Sequence, residues 1–114
     1  FCFGNYGGQT IQKGAWKPLL DFLNSLHCDH LVLELAHRPT SDLQALKEID
    51  PKIALGVGVI DIKVNHIETP DEVAKRIESV EKVVGKRVKW VHPDCGFWML
   101  SRSVAAGSAA ALPP

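Results

Sequence analysis

The chain has 114 residues, enough for one domain and one core. Its 13 basic and 13 acidic side chains cancel, and no basic stripe or charge block stands out, so neither nucleic acid nor a membrane surface is an expected partner. No apolar run approaches the ~20 residues of a membrane span. Three widely spaced cysteines argue for free thiols in a reducing, cytoplasmic setting and against a disulfide framework.

Residues 1–14 are rich in Gly, Gln, Asn and Thr and read as a loop, following a strand that lies mostly before Phe1. Trp16, Leu19, Leu20, Leu23 and Leu26 recur at helical spacing, which predicts a helix over 15–26 with Pro18 in its first turn. Residues 30–35 form a nearly all-apolar run, the pattern of a strand covered on both faces. Ser41 then has the position of a helix cap, with Gln44 completing a capping box and Pro51 ending the helix. Residues 53–60 (IALGVGVI) are the next strand, and their glycines suggest close backbone approach. Thr69-Pro70-Asp71-Glu72 carries the clearest start signal in the chain: a capping threonine, a first-turn proline and a glutamate that reaches back. Val73, Ile77, Val80 and Val84 supply the buried stripe of that helix, and Gly85 stops it. Residues 88–91 are the last strand.

Strands alternating with helices predict βαβ units and a parallel sheet. A closed eight-unit barrel needs ~250 residues. Here three strands are clear and a fourth is implied before Phe1. The expected fold is therefore α/β, the C-terminal half of a TIM (β/α)8 barrel, spanning residues 1–104. Residues 105–114 fall in a low-complexity stretch without an amphipathic stripe and are expected to be a disordered tail or a scar of truncation. A half barrel leaves two open sheet edges, so self-association through them is expected.

The candidate chemistry sits where strands end. Glu34 closes the run Leu31-Val32-Leu33, Cys95 follows Val91 in a Pro/Gly turn, and Cys2 precedes Gly4 near the start. In α/β folds that rim is where active groups gather. Two thiolates and a carboxylate form a zinc-type donor set. The plainer alternative is two ordinary small cysteines and a Glu34–Arg38 ion pair. Cys28 lies just before a strand, at the opposite rim, and reads as a structural thiol. Asp61 ends its strand at the same mouth, where it could orient a substrate amine, act as an acid or cap the loop. Asp94 and Trp98 flank Cys95 and are candidate substrate contacts, Asp94 fitting equally a turn or ligand-support role. His37, His66 and His92 are placed on loops of the chemical rim as solvated or packing residues.

Phe1-Cys2-Phe3-Gly4-Asn5, Leu33-Glu34-Leu35, Gly56-Val57-Gly58-Val59-Ile60-Asp61 and His92-Pro93-Asp94-Cys95-Gly96 together resemble the C-terminal catalytic barrel of the cobalamin-independent methionine synthase family, nearest its short, archaeal-type branch. The resemblance runs from Phe1 to about residue 104. It implies a catalytic zinc held by Cys2, Glu34, Cys95 and a histidine immediately before Phe1. It implies a methyl transfer from a methylated folate to the thiol of homocysteine through a zinc-bound thiolate. Asp61 is the candidate catalytic residue, and Asn5, Asp94 and Trp98 are candidate substrate contacts. The family's Asp-x-His motif reads Asp61-Ile62-Lys63 here. Two other readings stay open: a zinc-dependent alkyltransferase acting on another thiol, of epoxide or coenzyme M type, and an inactive barrel fragment.

Overall fold

The computed structural model describes residues 1–6, 9–10 and 14–114, with residues 5, 6, 9 and 10 as backbone only. Its centre is a three-stranded parallel sheet of β3 (His30–Leu33), β4 (Ala54–Ile60) and β5 (Val88–Pro93), ordered β3-β4-β5. Helices follow each strand: α1 (Leu20–Ser25) precedes β3, α2 (Thr40–Ala45) and α3 (Pro70–Val84) form the two crossovers, and α4 (Arg102–Ala110) closes the chain. Phe1 extends the sheet beyond β3. Its amine donates to the Val32 carbonyl at 2.5 Å and its carbonyl accepts from Glu34 N at 3.2 Å. Those two bonds are the slanted pair of a parallel ladder, so Phe1 lies against the edge of β3 in the parallel sense.

The register gives the sheet two unlike faces. Leu31 pairs with Leu55, and Leu33 with Val57 and, across the sheet, Val91. This face is buried with Leu20, Leu23, Ala45, Leu46, Val73, Val80 and Val84 from the helices in one apolar cluster. His30, Val32, Gly56, Trp90 and His92 share the other face by register. It is largely uncovered: Val32 is 42% and Trp90 50% exposed, and the His30 and Trp90 rings meet at a tilt of 47° with centroids 4.6 Å apart. In consecutive units of a barrel this second face is the interior.

Local structure departs from the sequence reading in four places. The predicted 1–14 loop contains a short antiparallel pair, β1 (Asn5–Tyr6) with β2 (Gln9–Thr10), in which Asn5 faces Thr10 and Tyr6 faces Gln9; residues 7–8 lie outside the described residues. The predicted 15–26 helix is a 3-10 turn, Lys17–Leu19, leading into α1, as Pro18 in the first turn allows. The Ser41–Gln44 capping box does not form. Pro39 occupies the N-cap of α2 without a side-chain bond, and the Arg38–Asp42 ion pair (2.9 Å) holds that first turn instead. The tail carries a helix: Ser101 caps α4 by accepting from Val104 N, and the Ala-rich segment buries Ser108. It seats without a bulky stripe because its contacts use smallness; a Cβ on Gly107 would stand 2.8 Å from Ile67 Cδ1. The Thr69 capping box and the Gly85 stop (φ 62°) form as predicted. Among the described residues no helix is long and apolar enough to cross a membrane.

Candidate metal centre at the strand mouths

Three chain segments meet where the parallel strands end. Glu34 follows β3 directly, Cys95 lies two residues beyond β5, and Cys2 sits beside the Phe1 pairing on the β3 edge. One ligand atom from each of Cys2, Glu34 and Cys95 falls within 4.8 Å of the others. Cys28 precedes β3, at the opposite end of the sheet, and is exposed.

Each member is held by backbone geometry. Glu34 is fully buried; Phe3 N donates to its Oε2 at 3.2 Å and Trp16 Nε1 donates to its carbonyl at 3.0 Å. The expected alternative pairing with Arg38 is absent. Arg38 instead binds Asp42 and the Gly14 carbonyl and lies 4.2 Å over the Phe3 ring, so it clamps the segment that carries Cys2. Cys95 is placed by its neighbour. Asp94 N donates to the Ile60 carbonyl, and the Asp94 carboxylate accepts from the amides of Leu35 and Ala36 at Oδ1 and of His37 at Oδ2, at 2.9–3.0 Å. Burial pushes the Asp94 pKa up, and the three amides and Lys63 oppose that push. Both Asp94 oxygens are thus committed to the Glu34 loop. Asp94 joins the β5 end to the β3 end and so sets the Cys95–Glu34 distance, which is the ligand-support role that was the other reading of this residue.

Burial, followed by the nearby Cys2 thiol and the Glu34 charge, pushes the Cys95 thiol up to about 11, against the pull of Lys63. A site that gathers anionic donors this closely is one that a cation would relax. Glu34 Oε1 is buried, accepts no hydrogen bond and faces the Lys63 ammonium at 3.4 Å, so a metal cation could bind it without breaking a hydrogen bond. The residues present therefore fit zinc: two sulfur donors and a carboxylate oxygen, converging, with one oxygen unsatisfied.

Asp61 stands just past β4, and its backbone amide donates to the buried Glu68 at 2.7 Å. Its Oδ1 accepts from Lys63 N at 2.9 Å, an Asx turn, and its Oδ2 lies 2.9 Å from His37 Nδ1. His37 was expected to be merely solvated or packed; it is the partner of Asp61. His92 belongs to β5 and not to a loop, with Nδ1 2.6 Å from the Pro93 carbonyl oxygen, and His66 pairs with Glu72. Trp98 is 67% exposed in the turn Phe97–Met99 that follows Cys95. The Asn5 side chain lies outside the described residues. An open cleft of about 280 Å³, lined by Phe1, Phe3, Trp16 and Leu19 among others, lies beside Cys2.

Sequence reasoning missed Lys63, whose side chain is 2% exposed and whose Nζ is 3.4 Å from Glu34 Oε1. The available signal was spacing: the family's Asp-x-His motif carries a lysine at its third position here, two residues beyond Asp61. It also missed Glu68, a buried carboxylate in a loop with no apolar period to mark it.

By fold and site this is a βα-barrel segment with a sulfur- and carboxylate-lined centre at its strand mouths. The family model described as the catalytic domain of cobalamin-independent synthase matches residues 14–110, and the chain belongs to that family. It is 34% identical over 104 residues to a methionine synthase of Thermococcus kodakarensis, covering 91% of this chain and 28% of that protein. It is 33% identical, over the same shares, to one of Pyrococcus horikoshii. A methionine synthase of Sulfurisphaera tokodaii is 35% identical over 92 residues, 81% of this chain and 27% of its own length. The chain thus spans about 28% of the length of the first two of these relatives. Family membership makes the three-stranded sheet part of a TIM-barrel-like catalytic domain.

Proposed function

We propose that the full-length protein is a zinc-dependent S-methyltransferase, moving a methyl group from a methylated folate to the thiol of homocysteine in the cytoplasm. The observation that carries this reading is the convergence of Cys2, Glu34 and Cys95 within 4.8 Å at the strand mouths, in a chain whose relatives are named methionine synthases. Zinc, when bound, lowers the pKa of a thiol so that it reacts as thiolate at neutral pH.

The chain's own residues do the rest. Cys2, Cys95 and Glu34 would hold the metal. Asp94 and Trp16 fix the two loops that carry Cys95 and Glu34. Asp61, locked by its Lys63 and Glu68 bonds, presents a carboxylate to the mouth that can take the substrate's ammonium group. His37, hydrogen-bonded to Asp61, can hold a proton for the amine nitrogen that loses its methyl group. Trp98 and Asn5 remain candidate walls of the substrate pocket.

The test is zinc content by atomic emission on the purified full-length protein and three variants. The wild type and Cys28→Ser should each carry one zinc per chain. Cys95→Ser should carry none and lose thiol methylation, because a serine hydroxyl is far too weak an acid to replace a thiolate ligand. Glu34→Gln should bind more weakly than wild type but better than Cys95→Ser, since the amide oxygen coordinates without charge. Zinc retained in Cys95→Ser and lost in Cys28→Ser would reverse the assignment of the chemical rim.

A further inference from the structure

Lys63 is the feature of the centre that its ligand chemistry does not explain. Its side chain is 2% exposed, yet its Nζ has no hydrogen-bond partner among the described residues. The atom facing it, Glu34 Oε1 at 3.4 Å, has none either. The contact is an ion pair without hydrogen-bond geometry, aimed into the cluster of Cys2, Glu34 and Cys95. A buried ammonium is costly unless nearby anions compensate it. The backbone commits the chain to that position: Lys63 N donates to Asp61 Oδ1 in the turn after β4, and Ile62 between them is buried.

We propose that Lys63 is a charge-setting residue of the metal centre, weakening the hold on the divalent metal and favouring an anionic incoming ligand over a neutral one. The proposal rests on the metal reading above. Two thiolates and a carboxylate carry three negative charges against two on zinc, which leaves the centre anionic. The Lys63 ammonium, beside the carboxylate ligand, brings the sum to neutral. An anionic centre would repel a substrate thiolate, whereas a neutral one takes it without net repulsion. The same cation also repels the metal. Both effects are large where water is excluded, because Coulomb interactions over a few ångströms are poorly screened there.

The two consequences have opposite signs, which separates charge from mere structural support. In the full-length protein, Lys63→Met should bind zinc about tenfold or more tightly than wild type, measured by competition with a chromogenic chelator. In the cobalt(II)-loaded form, read by its visible absorption bands, the same variant should bind azide about tenfold more weakly and imidazole, a neutral ligand, as before. Lys63→Arg keeps the charge and should stay near wild type in both measurements. Weaker zinc binding in Lys63→Met, or parallel losses of azide and imidazole, would show a structural prop and overturn the proposal. Unchanged values would overturn it too. A wild-type protein that binds no zinc would instead sink the metal reading, and this inference with it.

Discussion

Gly58 and Asp94 show how narrowly the centre is built. A Cβ placed on Gly58 would stand 2.1 Å from Asp94 Oδ1 and 3.0 Å from its Cα, so the aspartate backbone passes where any side chain would be. Gly58→Ala is therefore expected to destabilise the fold by about 1–3 kcal/mol, as overpacked sites do. It should also weaken zinc binding by displacing Cys95. Thermal unfolding and zinc content measured on the same sample check both effects. Asp94→Asn tests the carboxylate separately. An amide turns an NH2 group toward backbone N–H donors, leaving part of the Leu35–His37 set unsatisfied, at about 1–3 kcal/mol. That loss should appear in chemical denaturation with no substrate present, which a substrate-contact role would not produce. Cys2, Glu34 and Cys95 were legible in the sequence because each follows a strand signal or a family motif. The Asp94 role was not, because its partners lie 57–59 positions away and a carboxylate next to a cysteine has several plain uses.

Helix starts separate into those that sequence chemistry decides and those that tertiary contacts decide. The α3 box forms in full: Glu72 N donates to Thr69 Oγ1, and Thr69 N donates to Glu72 Oε2 at 2.7 Å. At α2 the same kind of pattern yields to the buried Asp42 and its Arg38 partner. Thr69→Ala should accordingly cost about 1 kcal/mol, while Ser41→Ala should stay within about 0.5 kcal/mol of wild type. Urea titrations on both variants check the contrast. The box also has a pH signature. The Thr69 backbone amide, then His66 and the Thr69 hydroxyl, hold the Glu72 carboxyl below its ordinary 4.5. A folded-state pKa below the unfolded one stabilises above that ordinary value and loses the contribution as pH falls through the folded value. The stability of wild type should thus fall more steeply below pH 4.5 than that of Glu72→Gln. Identical acid limbs for the two proteins would remove Glu72 from the cap's energetics. Helix α4 escaped the sequence reading for a related reason: hydrophobic periodicity detects large side chains, and this helix packs through alanine and Gly107.

At the scale of the molecule, alternation of strand and helix was enough to fix the class of fold, since parallel strands require crossovers and the crossovers here are helices. What alternation could not show is which sheet face the helices cover. The register shows it: Leu31, Leu33, Leu55, Val57 and Val91 face the helical layer, and His30, Val32, Gly56, Trp90 and His92 face away from it. The second set includes the exposed Val32 and Trp90, and among the described residues no strand pairs with the outer edge of β5; a closed barrel would bury such a surface against its remaining strands. Residues 1–114 expressed alone are therefore expected to self-associate at roughly tens of micromolar, the range in which exposed apolar surface and strand edges drive association. Trp90→Lys should shift the population toward monomer by placing a charge on the uncovered face. The same substitution should destabilise the full-length protein, where that position is interior and an unpaired buried charge costs several kcal/mol. Sedimentation velocity on the 114-residue chain and thermal unfolding of the full-length pair measure the two halves of this prediction. The signs are opposed because one face is solvent in the first protein and core in the second. A monodisperse 114-residue monomer, or a full-length Trp90→Lys as stable as wild type, would mean that this face is not the barrel interior.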